Sequence, residues 1–248
     1  MLSAVRELGF PTGFHDPFWL FDDDLALKSH PGYRRAKSGD EKVAAALVSD
    51  LGIDFIVRIK DKLPSDAIFV APHAYEASGD NAIPQVFAAA CAMIAQGDID
   101  TDIVQVTRVF HTGADPMERM SLRAEFEGTV TPGSRYVLVD DVINMGVTLA
   151  ELANHVRGRG GIVLAVVALV NAGRIKRLQP ARKTIRELER RHGNGIAEIF
   201  GIVPGALTAN EANYLIGFRS TDEIRNRLAK AKKETYLRLR SKGIERQS

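Results

Sequence analysis

One cysteine in 248 residues leaves no internal disulfide possible, and a lone thiol suits a reducing compartment. Cys91 sits in the apolar run 86–94, where a small buried hydrophobe is the expected role rather than a nucleophile. No segment reaches the roughly 20 uninterrupted apolar residues that cross a bilayer. Residues 1–9 lack the apolar stretch of a secretory leader. These absences set the expectation of a cytoplasmic protein with no membrane partner. No Cys/His cluster has metal-ligand spacing, which disfavours structural zinc. The Walker-type phosphate loop and the dinucleotide fingerprint are both missing, which removes two common nucleotide-binding readings. Excess charge is missing too, with 33 basic residues against 31 acidic. The balance hides an asymmetry: residues 219–248 carry 10 Lys/Arg and 4 Asp/Glu, so the basic surplus sits in the tail.

What is present points to an α/β protein. A 45% hydrophobic chain of this length can bury a substantial core as one large domain, or as one domain with an appendage. The first forty residues, rich in Phe, Gly and Pro, read as an irregular aromatic arm. Residues 41–51 then have helical spacing, with Val43, Leu47 and Leu51 on one face. Apolar runs at 67–71, 103–107, 136–140 and 162–170 read as strands. Helices are expected over 83–96, with Asp80 and Asn81 as cap candidates and Pro84 near the start, and over 147–158. Continuous apolar strands alternating with helices predict an open, mostly parallel sheet with helices on both faces. Beyond Asn171 the pattern changes to charged helix, over 181–193 and 207–241, with Thr208 as a cap. The expected division is an α/β domain with the aromatic arm over 1–174 and a helical, basic extension over 175–248.

The informative segment runs from Tyr136 through Asp140, Asp141, Asn144, Met145, Gly146, Val147 and Thr148 to Leu149. An apolar strand leads into two carboxylates, a short Gly-containing turn, a Thr and a helix. Ligands of open α/β sheets bind beyond the carboxyl ends of the strands. Gly146 permits a tight backbone whose N–H groups converge on an anion. The following helix adds its first amides and its dipole, and Thr148 adds a hydroxyl. That is a phosphate site, with two aspartates placed to accept from sugar hydroxyls or to face Mg²⁺.

This segment resembles the signature of the type I phosphoribosyltransferases: apolar strand, two acids, two apolar residues, then a short turn into Gly-x-Thr. The resemblance covers about residues 67–170. It implies a Mg²⁺-dependent pentosyltransferase, a glycosyltransferase that uses phosphoribosyl pyrophosphate and a nucleobase-like acceptor. It assigns Asp140 and Asp141 to the ribose hydroxyls and the metal, and the turn Asn144, Met145, Gly146, Val147 and Thr148 to the 5-phosphate. Met145 departs from the Thr or Ser often found before the Gly. The polar turn containing Glu76, Ala77, Ser78 and Gly79 matches the pyrophosphate loop, and residues 108–128 match the lid. There Arg119 and Arg123, four apart, would project from one helical face toward the leaving group. His15, His73 and His111 are candidates for proton transfer. Phe14, Phe18, Trp19 and the 214–218 segment are candidates for base stacking, with core packing favoured. A ribose-phosphate sensor without turnover remains a second reading, as does an enzyme acting on something other than a free base. The tail is expected to dock on its own domain or on a twin subunit in a homodimer, in preference to contacting nucleic acid.

Overall fold

A computed structural model of the chain describes residues 5–72, 75–76, 79–107 and 115–241. The chain opens with β1 (Phe18–Phe21), α1 (Leu25–Ser29), α2 (Tyr33–Ala36) and α3 (Glu41–Ile59). Then come β2 (Ile68–Val70), the short pair β3 (Tyr75–Glu76) and β4 (Gly79–Asp80), and α4 (Ile83–Ala95). Next are β5 (Asp98–Ile99), β6 (Val104–Gln105), α5 (Pro116–Ser121) and β7 (Phe126–Glu127). The central unit is β8 (Arg135–Ile143), α6 (Val147–Gly158) and β9 (Ile162–Asn171). Four helices follow: α7 (Arg182–His192), α8 (Gly195–Phe200), α9 (Ala209–Leu215) and α10 (Thr221–Ser241).

Five strands form one parallel sheet in the order β1-β9-β8-β2-β5. Side chains of the central strands alternate between its faces. Val137 and Val139 pack with Phe55, Ile56, Phe87 and Cys91 of α3 and α4. Tyr136 and Leu138 pack with Leu149, Leu152, Ala153 and Val156 of α6. Both faces are thus covered, and each fully buried aliphatic contributes ~1.5–3 kcal/mol. A third apolar cluster gathers α5 and the C-terminal helices around Met117, Met120, Leu188, Ile196, Phe200, Leu215 and Ile224. No helix among the described residues is long and apolar enough to cross a membrane.

The α/β architecture with a helical C-terminal part agrees with expectation, and four details differ. The arm is not irregular throughout, because Phe18–Phe21 forms an edge strand in parallel register with Val167–Val170 of β9. The 103–107 run does not enter the main sheet. β5 takes that place, starting directly after Gly97, where a Cβ would lie 2.4 Å from the Ala67 carbonyl. The Asp100 carboxylate then accepts from the Asp102 and Ile103 amides at 2.9 Å each and turns the chain away, so Val104–Gln105 pairs with Phe126–Glu127 instead. The helix starting at Glu41 continues to Ile59, well past Leu51. The helix expected over 207–241 is two, separated at 216–220. On α10, Ile224 and Ala231 are buried and Leu228 packs beside them, whereas Tyr236 and Leu237 are exposed.

Candidate functional site

The site lies where β8 hands over to α6. β8 runs through both aspartates to Ile143, with Asp140 opposite Ala168 and Val142 opposite Val170. Because the strand continues, its two-residue alternation sends the adjacent carboxylates to opposite faces. Asp140 lines an open pocket with Asn144, Met145, Gly146, Val147, Thr148 and Arg119. Asp141 is buried on the other face, where Asn81 Nδ2 donates to it at 2.9 Å and Lys37 Nζ at 3.4 Å. The Asp141 amide in turn donates to Asp140 Oδ1 at 2.8 Å.

The two environments drive the carboxyls apart. Burial, and then the neighbouring Asp141 charge, holds Asp140 well above the ordinary carboxylate range. Burial also pushes Asp141 upward, but Lys37, Asn81 and Asp140 outweigh it, and Asp141 ionises below that range. The carboxyl facing the pocket is thus held above the ordinary range, and the one behind it below.

Gly146 precedes α6 at φ 75°, in the left-handed region that an L side chain enters only with strain. A Cβ there would also meet Leu178 at 3.2 Å. Among the described residues no side chain caps α6, and Val147, Thr148 and Leu149 of its first turn line the pocket. Unsatisfied first-turn N–H groups together with the helix dipole make an anion site.

Met145 has a visible reason. Its side chain packs into the C-terminal apolar cluster, and its carbonyl accepts from Thr208 Oγ1 at 2.7 Å. Thr208 also caps α9 in a reciprocal capping box with Glu211. Glu211 pairs with Arg6 at 2.5 Å, Arg6 lies 3.2 Å from Glu151, and Arg123 bonds Glu151 at 2.7 Å. The C-terminal helices thus grip the turn through its backbone. Thr208→Val is expected to cost ~1 kcal/mol through the lost cap, and to weaken inorganic phosphate binding. Thr208→Ser should restore both, as read by thermal unfolding and calorimetry.

Other sequence-derived candidates fall out differently. Arg119 lines the pocket. Arg123 does not share a helical face with it, since α5 ends at Ser121 and Arg123 is buried against Glu151. In the lid segment, 108–114 lies outside the described residues. Residues 116–121 form α5, with the Asp115 carboxylate accepting from the Glu118 amide at 2.9 Å and pairing with Arg227. Met117 and Met120 bury themselves among the C-terminal helices. In the pyrophosphate-loop candidate, Glu76 pairs with Gly79 through β3 and β4, and Ala77 and Ser78 lie outside the described residues. His73 and His111 also lie outside them, and His15 is exposed. Phe14, Phe18, Tyr214 and Phe218 pack on the three cores, and the Trp19 indole donates to Asp22. Lys37, Asn81, Thr208 and Arg6 were not singled out as site groups from the sequence. Each comes from 60 to 205 residues away from its partner, and only the Asn81 polar turn and the Thr208 cap left a local signal.

No family model matches the chain. It is 34% identical over 220 residues to Protein TraN of Escherichia coli, covering 86% of this chain and 49% of that protein. It is 35% identical over 130 residues to an uncharacterized protein of Haemophilus influenzae, covering 52% of this chain and 29% of that protein. The chain therefore spans about half the length, or less, of these relatives. Among solved structures, an adenine phosphoribosyltransferase from Leishmania donovani overlaps with TM-score 0.35 and 13% identity, over 60% of this chain and 69% of that one. Overlap at that level leaves the functional weight on the residues of the β8–α6 turn.

Proposed function

We propose that this protein is a Mg²⁺-dependent phosphoribosyltransferase that moves ribose 5-phosphate from phosphoribosyl pyrophosphate to a nitrogen nucleophile, a nucleobase in the simplest case. The observation that carries this reading is the uncapped α6 N-terminus behind left-handed Gly146, opening into the same pocket as Asp140. The α6 amides and the Thr148 hydroxyl take the 5-phosphate, and Asp140 meets the ribose hydroxyls. In the transfer, the bond from the anomeric carbon to the pyrophosphate oxygen breaks, the bond to nitrogen forms, and the nitrogen's proton leaves to water. The transition state has oxocarbenium character, so the protein's task is to orient the sugar, exclude water and receive charge on the leaving group. In this reading Arg119, which lines the pocket, receives that charge, and the turn at 76–79 takes the pyrophosphate.

The donor set suits Mg²⁺, which binds one or two carboxylates and takes its remaining oxygens from ligand phosphates and water. Asp140, on the pocket wall, would supply such a carboxylate, whereas Asp141 is held on the opposite face by Asn81 and Lys37, and no group of three or more metal-ligating side chains gathers among the described residues. When bound, the ion would neutralise charge on the departing pyrophosphate. Within this reading, Arg119→Ala should lower kcat ~10–1000-fold, as loss of a preorganised electrostatic partner does, with KM for phosphoribosyl pyrophosphate little changed.

A binding protein without turnover is the second reading. The anchoring of α5 among the C-terminal helices favours it, since that contact restrains the segment bearing Arg119. Pyrophosphate release measured with a panel of purine and pyrimidine bases separates the two. Turnover with any base supports the transferase, and tight Mg²⁺-dependent binding with no release from any base supports the sensor.

A further inference from the structure

Between Glu151 and Glu187 lie 35 residues without a single Asp or Glu, and eight of them are Arg or Lys. Six of the eight fall in 174–186, directly after β9. This stretch leaves from the phosphate turn itself. A Cβ on Gly173 would lie 2.7 Å from the Asn144 carbonyl, and Leu178 packs against Gly146. Arg174, Arg177, Arg182, Lys183 and Arg186 are exposed, and none has a carboxylate partner among the described residues. Only Lys176 of the six is paired, with Asp22.

The tail carries the larger count of positive charge, and there exposed Arg219, Lys232 and Lys233 lack a carboxylate partner among the described residues, but three of its cations are held. Arg225 is bound by Asp222 and Glu198, Arg227 by Asp115 and Glu234, and Lys230 by Glu234. On α7, Arg182, Lys183, Arg186 and Arg190 border a shallow groove with Glu187. Residues 182 and 186 lie four positions apart, about 6 Å along the helix axis, whereas Arg190 is held by Glu187. Like charges at this spacing destabilise a helix unless an anion lies across them.

We infer that the face formed by residues 174–186 and α7 binds the sugar–phosphate backbone of a nucleic-acid strand. Four of the five unpaired cations are arginines, whose planar forked donors match phosphate oxygens. No aromatic side chain occurs between 174 and 191, so the contact reads the backbone and is indifferent to base sequence. No large apolar side chain is exposed among the described residues of this stretch, and an anionic bilayer would need such an anchor. The inference does not depend on the transferase reading.

Fluorescence anisotropy with the full chain and a short labelled single-stranded oligonucleotide tests it. Binding should weaken steeply with salt. Arg182→Ala with Lys183→Ala and Arg186→Ala should weaken it at least ~10-fold and flatten the log–log salt slope by about 2, since each lost phosphate contact contributes ~0.7. Lys230→Ala with Lys232→Ala and Lys233→Ala on α10 removes the same charge and should change affinity less than ~3-fold. The α7 variant should keep its binding of phosphoribosyl pyrophosphate, which separates failure here from failure of the transferase reading. The inference is overturned if the α7 variant binds the oligonucleotide like the parent, or if only the α10 variant loses binding. Equally tight binding of poly-aspartate or of phosphatidylserine vesicles would overturn it as well.

Discussion

Asp140→Asn is expected to raise the melting temperature while weakening Mg²⁺-dependent binding of phosphoribosyl pyrophosphate. Burial and the Asp141 charge hold the Asp140 carboxyl above its ordinary range, so its ionised form weighs against the fold. Stability from the neutral acid is full below the unfolded carboxylate pKa and is lost as pH rises through the folded one. The variant's advantage should therefore be absent in acid, open as pH climbs between those two values, and reach ~1 kcal/mol, or ~2–4 °C, at neutral pH. Its affinity should fall ~10–100-fold, the size of a lost hydrogen bond to a charged group.

Asp141→Asn should do the opposite to stability. Its folded pKa is lowered, so its contribution is present above the unfolded value and lost as pH falls through the folded one. Removing that anion leaves Lys37 and Asn81 without it, at a cost of ~1.5–3 kcal/mol at neutral pH that shrinks in acid. Thermal unfolding of both variants across the acid-to-neutral range decides the matter. Stability changes of the same sign in the two variants would contradict the division of labour between the carboxylates.

The largest loss of stability is expected from Glu151→Ala. Arg6 is fully buried, and Glu151 and Glu211 keep its guanidinium charged against the pull of burial. Burial also pushes Glu151 up, in spite of Arg6 and Arg123. Deleting Glu151 leaves Arg6 with Glu211 alone and takes from buried Arg123 the carboxylate 2.7 Å away. Breaking a buried pair in this way costs ~3–5 kcal/mol, or ~6–20 °C for a protein of this size. Glu151 sits one turn beyond Thr148 on α6, so the same change should loosen the helix N-terminus and weaken phosphate binding. Chemical denaturation with phosphate titration reads both. A loss under ~1 kcal/mol would show that the cluster is solvated and peripheral.

The β8–α6 unit was legible in the sequence because every cue there agreed. A β-branched apolar run, a glycine before a helical pattern and the helix bounds 147–158 all pointed one way, and the structure places α6 over those residues. The opposite facing of Asp140 and Asp141 was less visible, because the strand was expected to stop at the acidic pair. Val142 and Ile143, β-branched and apolar, were the available signal that it continues. The route of 103–107 was hidden by an Asp100 turn that outweighs strand propensity. The β1 strand was masked by neighbouring Pro and Gly residues. Lys37, Asn81 and Arg6 reach their partners only through the tertiary fold, and no local pattern encodes that. Met145 looked like a departure until the C-terminal helices supplied its packing site.

The most direct measurement is calorimetric titration of phosphoribosyl pyrophosphate into the full chain, with and without Mg²⁺, for the parent and for Gly146→Val. A Cβ at Gly146 combines strain at positive φ with contact against Leu178, so the turn cannot keep its amides aimed at a phosphate. Micromolar-range binding by the parent that requires Mg²⁺ and is lost in the variant is the expected result. No binding by the parent, or binding that is indifferent to both Mg²⁺ and Gly146, would contradict it.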